Sequence, residues 1–161
     1  MTDRTVNVEG IDRHQMTNIH VGTLCGFVQT NRGPAIAILN QAANTGRGQT
    51  ILSCVQMEAF GVTVDAKSIK VGGKQCISTP DGFEIPLDIK NGLAYIKMRP
   101  PTDRELASDI PNVILTSDAD WDPTVLDHSI DDVEQWALAR PTDGPEEVER
   151  PFDNLGYSQN Y

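Results

Sequence analysis

The segment from Glu84 to Arg99, EIPLDIKNGLAYIKMR, constrains the fold more than any other part of the chain, because it fixes its own strand register. Asn91-Gly92 suits a two-residue type I′ turn, in which both central residues take positive φ. With Lys90 opposite Leu93, the cross-strand pairs become Ile89–Ala94, Leu87–Ile96 and Ile85–Met98, all apolar and all on one face. The other face pairs Asp88 with Tyr95, Pro86 with Lys97 and Glu84 with Arg99. A slip of one residue would turn every apolar side chain toward water. The segment therefore predicts an antiparallel hairpin in a mainly β protein. Pro86 has no N–H to give a ladder, which places its strand at a sheet edge or at a bulge.

Other parts of the chain carry weaker signals of the same kind. Thr5–Glu9 alternates and is β-branched, Thr17–Thr23 is a second candidate strand, and Phe27–Gln29 and Ala35–Leu39 flank a turn at residues 30–34. Gly22 and Gly26 in the upstream arm of that second hairpin allow close backbone approach. Ile51–Phe60 predicts a short helix with Leu52, Val55, Ala59 and Phe60 on one side and Gly61 closing it. Val62–Val64, Ser68–Val71 and Gln75–Ser78 predict short strands, and Thr79-Pro80-Asp81-Gly82 a turn. Thr102 and Glu105 form a capping box that starts a helix over Asp103–Ser108. Val113–Thr116 predicts a strand and Pro123 a helix start. Ser129 caps an amphipathic helix over Ile130–Ala139, and the aperiodic, acidic stretch 140–161 predicts a disordered tail.

With 161 residues, the chain has room for one domain and a tail. The net charge of −10 is unevenly spread. Residues 1–100 carry ten Lys/Arg against eight Asp/Glu, whereas 101–161 carry three against fifteen. Such a chain lacks the basic footprint of a nucleic-acid binder. The N-terminus has no apolar signal segment and no run approaches a membrane span, so an intracellular location and no membrane partner are expected. Cys25, Cys54 and Cys76 are isolated and predict small buried hydrophobes. His14, His20 and His128 lack ligand-like spacing, so no metal and no cofactor are expected.

Asp118, Asp120 and Asp122 superficially match a calcium loop, but Pro123 stands at the sixth position and Ser129 at the twelfth, where Gly and Glu belong. The glycines at Gly46-Arg47-Gly48 and Gly72-Gly73 follow no strand–GxGxxG–helix order. Ser53, Ser68 and Ser78 lack the context of a nucleophile elbow. Asn44-Thr45-Gly46 is the sharper case. Aspartic proteases carry Asp-Thr/Ser-Gly, so that two carboxylates share one proton and act as base and acid. An Asn amide does not titrate, and neither Asp-Thr-Gly nor Asp-Ser-Gly occurs in the chain. The residues point to no catalytic group, and Asn44-Thr45-Gly46 is expected to be an ordinary turn.

Five blocks taken in order, Val6–Gln15, Gly33–Ile51, Val55–Asp65, Lys70–Leu106 and Pro111–His128, resemble the retropepsin-like protease region of Ty1/copia-type retrotransposon reading frames of diatoms and other microbial eukaryotes. The most specific pieces are Gly92–Asp103 and Thr116–Pro123. The resemblance implies a mainly β fold, half of an acid-protease β-barrel, truncated at its N-terminus, with short helices and an acidic C-terminal tail. It divides the chain into an incomplete β domain at 1–128, an amphipathic helix at 129–139 and a disordered tail at 140–161. Retropepsins act as homodimers in which each subunit gives one Asp from an Asp-Ser-Gly motif, expected here before Thr5–Glu9. The resemblance also puts a substrate-covering flap at the Phe27–Leu39 hairpin, with Gln29, Thr30, Asn31, Arg32 and Gly33 at its tip.

Three functions follow. The first is a catalytically inactive, retroelement-derived domain; the second is a subunit of an active homodimeric protease whose catalytic strand lies upstream of Met1. The third is an interaction module that dimerises and binds a peptide or protein partner. A missing early strand leaves an open sheet edge, so marginal stability is expected.

Overall fold

A computed structural model describes residues 2–127. The helix expected at 129–139 and the tail at 140–161 lie outside the described residues. Residues 1–122 make one compact unit, and a second unit opens at Pro123 with a 3₁₀ turn over Pro123–Leu126. The first unit is mainly β and holds two four-stranded sheets.

The first sheet grows from one long hairpin. The strands expected at Thr17–Thr23 and near Phe27 are a single strand, β2 (Gln15–Thr30), preceded by β1 (Thr5–Glu9) and followed by β3 (Gly33–Ala43). Gly22 and Gly26 weaken local packing without breaking the ladder, which runs from Val21–Ala43 to Thr30–Gly33 with one irregularity between Gly22 and Leu24. The turn is accordingly shorter than residues 30–34, and Pro34 belongs to β3 opposite Gln29. β1 pairs antiparallel with β2. On the far side of β3 lies β8 (Asn112–Ile114), parallel to it, giving the order β1-β2-β3-β8. The parallel step is closed by bonds from the Ile36 N–H to the Pro111 carbonyl and from the Leu115 N–H to the Ile38 carbonyl, each 2.9 Å.

The second sheet is an antiparallel meander of β4 (Thr63–Asp65), β5 (Cys76–Ser78), β6 (Glu84–Lys90) and β7 (Leu93–Ile96). The register of β6 and β7 is the one the sequence dictates: Lys90–Leu93, Ile89–Ala94, Asp88–Tyr95 and Leu87–Ile96. Asn91 and Gly92 both have positive φ, 50° and 77°, as a type I′ turn requires. The ladder stops there, however, and Pro86–Lys97, Ile85–Met98 and Glu84–Arg99 do not pair. The Leu87 N–H points to the β5 side, where it donates to the carbonyl of Gln75, just before that strand, at 2.9 Å. By alternation, position 86 faces β7, and proline has no N–H to offer it. β6 is therefore not an edge strand. It lies between β5 and β7, and Pro86 sits where pairing on the β7 side ends. The chain instead crosses to the first sheet, where Arg99 bridges Phe27 and Met98 lies against Gly26, occupying the space a Cβ would need.

Helical elements are short. α1 (Cys54–Ala59) is capped by the Ser53 hydroxyl, which accepts from the Gln56 N–H at 3.2 Å. Its buried residue is Met57; Val55, Ala59 and Phe60 are exposed, so the stripe expected to face the core does not. A helix of one and a half turns can seat only one side chain deeply, and the seat belongs to Met57, with Leu52 packed beside the core. Ser68–Val71 is not a strand: the Ser68 hydroxyl accepts from the Lys70 N–H and winds Ile69–Val71 into a 3₁₀ turn. α2 (Asp103–Leu106) starts with the capping box read from Thr102 and Glu105.

The core joins both sheets: Val28, Ala35, Ala37 and Leu39 from the first, Ile77, Ile85 and Leu87 from the second, closed by Met57, Val62, Val113 and Leu115. Of the three cysteines, only Cys76 is buried; Cys25 and Cys54 are exposed, against expectation, because their positions on β2 and at the start of α1 face away from this core. Among the described residues, no helix is long and apolar enough to cross a membrane.

Candidate functional site

The two hairpin ends of the first sheet stand in opposite environments. The tip formed by Gln29, Thr30, Asn31, Arg32 and Gly33 is held down. Asn31 bonds the turn before β6 with backbone and side chain alike: its N–H donates to the Glu84 carbonyl at 3.0 Å, its Nδ2 donates to the Gly82 carbonyl at 3.2 Å, and its Oδ1 accepts from the Glu84 N–H at 2.9 Å. Arg32 donates from Nη1 to the Asp81 carbonyl at 3.0 Å and lies over the Phe83 ring, 5.0 Å from its centroid. Any lifting of this tip has to break all of these contacts.

The β1–β2 end is the free one. Every residue from Glu9 to Gln15 is exposed, and Ile11, at the turn, is wholly so. The turn itself is well formed, with bonds from the Gly10 N–H to the His14 carbonyl at 2.8 Å and from the Arg13 N–H to the Gly10 carbonyl at 3.0 Å. Asp12 Oδ1 accepts from the His14 N–H at 3.0 Å. The sequence held a signal for this arm, a Gly10–His14 turn between two β-branched runs, but nothing in it said that this hairpin would project while the next one docked.

The chemical groups near these elements serve structure. Asn44 Oδ1 accepts from the Gly46 N–H at 2.9 Å in an exposed Asx turn, so Asn44-Thr45-Gly46 is a local turn motif, as the sequence predicts. Asp65 is held below the usual carboxylate range, first by the Lys74 N–H and also by the Lys67 N–H, both of which its oxygens accept. Glu105 is held down to about 2, chiefly by hydrogen bonds from Arg99 and next by the Thr102 N–H. A carboxyl kept ionised by local donors is a poor partner in a shared-proton pair, which needs one member protonated. Among the described residues, no group of three or more His, Cys, Asp and Glu side chains is placed to hold a metal ion.

Asp118, Asp120 and Trp121 are used to brace the sheet. Arg4 donates to the Trp121 carbonyl at 2.7 Å and to Gln41 Oε1 at 3.2 Å, with Asp120 at 3.6 Å, while Gln41 Nε2 donates to the Asp118 carbonyl at 3.2 Å. The same segment and α1 line a shallow recess of about 180 Å³ between Phe60 and Trp121, with Gln56, Ser117 and Asp120 as polar members. Compared with known proteins, the chain matches no family model, no curated protein and no solved structure.

Proposed function

We propose that this chain is a retropepsin-like β domain of Ty1/copia retrotransposon origin that does not cleave peptides. One observation carries this reading. The 161 residues contain no Asp-Thr-Gly or Asp-Ser-Gly, and the nearest equivalent, Asn44-Thr45-Gly46, offers an amide in an exposed turn. Peptide hydrolysis by an acid pair needs one carboxylate to deprotonate water and another to protonate the leaving amine. A homodimer is the assembly the resemblance implies, and two copies of this sequence bring no such motif to their shared cleft.

Within this reading, the flap-like element is the β1–β2 arm rather than the Gln29–Gly33 tip. The arm has an exposed apolar residue, Ile11, at a formed turn, and its outer end is free. The test is incubation of the purified full chain with a peptide library between about pH 3 and pH 7, with and without pepstatin, in the range where acid pairs work. No pepstatin-sensitive cleavage is the expected result, and turnover that survives purification to homogeneity overturns the proposal. Sedimentation velocity on the same sample tests the homodimer.

A further inference from the structure

The two ends of the second sheet differ in kind. β4 and β6 run toward one end and β5 and β7 away from it, so the loop at residues 66–75 and the turn Asn91-Gly92 fall together there. The opposite end carries the turn Thr79–Gly82 with Asp81 and Glu84, and it is occupied by Asn31 and Arg32. Nothing among the described contacts occupies the first end. It gathers four lysines, Lys67, Lys70, Lys74 and Lys90, with three exposed aliphatics, Ile69 (67%), Val71 (51%) and Leu93 (61%), of which Leu93 pairs with Lys90 on one face of the β6–β7 hairpin. Gln75 ties the 66–75 loop to β6, its Nε2 donating to the Leu87 carbonyl at 2.6 Å.

The four lysines outnumber the two carboxylates beside them, Asp65 and Asp88. Asp65 accepts from two backbone amides, Asp88 lies 3.9 Å from Lys90, and no Asp or Glu occurs between Asp65 and Asp81. The loop is also rigidly built. Gln75 Oε1 accepts from the Ile69 N–H at 3.2 Å, the Gly73 N–H donates to the Ser68 carbonyl at 2.9 Å, and Gly73 abuts the Lys67 carbonyl so closely that a Cβ would overlap it. Such ordering holds Ile69 and Val71 in place without burying them, and a preorganised surface loses little entropy on binding.

We propose that this end of the sheet is a docking surface for an anionic lipid bilayer, with Ile69, Val71 and Leu93 entering the headgroup region and the lysines meeting lipid phosphates and carboxylates. The proposal is independent of the protease-like reading. Lysine suits the task because its stem lies along apolar surface while its ammonium stays at the headgroups. Single-stranded nucleic acid, the other polyanion, is held by aromatic and arginine side chains, and residues 66–75 and 89–93 contain neither. The absence of a spanning segment, which suggested no membrane partner, concerns crossing and not peripheral attachment.

Cosedimentation of the full chain with phosphatidylcholine vesicles, with and without phosphatidylserine, tests the proposal. Binding is expected only with phosphatidylserine and should fall as salt is added. Lys70→Glu/Lys74→Glu should weaken it on the order of tenfold or more, and Ile69→Ser/Leu93→Ser by a similar factor, with circular dichroism spectra matching the parent. Failure of the parent chain to bind phosphatidylserine vesicles overturns the proposal. So does an aliphatic variant that binds as the parent does, which would mean adhesion by charge alone. Retention on immobilised polyglutamate without vesicle binding also overturns it, in favour of an acidic protein partner.

Discussion

Arg99 and Phe27 are joined three times over: the Phe27 N–H donates to the Arg99 carbonyl at 2.8 Å, the Arg99 N–H returns a bond at 3.3 Å, and the guanidinium lies over the phenyl ring, 4.0 Å from its centroid. Glu105 grips the same guanidinium through two hydrogen bonds, at 2.9 and 2.5 Å. The chain leaving the second sheet is thereby fastened to the first, and α2 is fastened to the joint. A ring face and a carboxylate together define the position of a planar cation in a way that a lysine could not reproduce.

This joint should show in the acid limb of stability. The Glu105 carboxyl is held down from 4.5 to about 2 in the folded protein, so its ionised form favours folding. That contribution is complete above the unfolded value of 4.5 and fades as pH falls toward 2. Glu105→Gln should therefore be less stable than the parent at neutral pH, with the difference shrinking between those two values. Urea midpoints across that range check it; a difference independent of pH would refute it.

Asn31→Ala should release the hairpin tip. It removes the side-chain bonds to Gly82 and Glu84 while leaving the backbone bond, at a cost of about 1–2 kcal/mol. Amide exchange at Glu84 should quicken while that at Ile77 in the core stays slow. Equal protection of Glu84 in both proteins would mean that the tip is held elsewhere.

Within α1, Met57 and Val55 divide the work unequally. Met57 is 1% exposed and Val55 49%. Met57→Ala should cost roughly 2–5 kcal/mol through cavity formation, and Val55→Ala no more than about 0.5 kcal/mol, as at ordinary surface positions. Paired denaturant titrations decide whether the helix is seated on the residue the structure buries or on the stripe the sequence offers.

Gly73→Ala should be costly although residue 73 lies in a loop. The new Cβ would stand 1.9 Å from the Lys67 carbonyl oxygen, a backbone atom with no freedom to step aside. A loss of about 1–3 kcal/mol is expected, together with faster exchange of the Lys74 amide, which Asp65 now holds. A variant as stable as the parent would show that the 66–75 loop yields easily and is not rigid.

Local chemistry was legible wherever a few neighbouring residues determine the outcome. The Asn91-Gly92 turn with its register, the Thr102–Glu105 capping box and the Asx turn at Asn44 needed no information beyond their own segments. The helix stripe was misread because α1 is too short for periodicity to select a face; the cavity left by its neighbours selected Met57. Ser68–Val71 resembles a strand in composition, yet a serine hydroxyl and a glutamine amide wind it into a turn. Pro86 suggests a sheet edge or a bulge and instead marks where the β6–β7 ladder ends, because one missing N–H specifies which side of a strand is unpaired and not whether the other side is free.

By itself, then, the sequence determined a β-rich chain, its tightest turns and caps, and the absence of an acid-protease triplet, all of which depend on residue chemistry at short separation. Only the tertiary structure decided which hairpin docks and which projects, that β8 runs parallel to β3, and that the 66–75 loop and the Asn91-Gly92 turn lie at the same end of the second sheet. Those outcomes depend on which distant surfaces bury one another, and burial is a property of the assembled chain that no local pattern encodes.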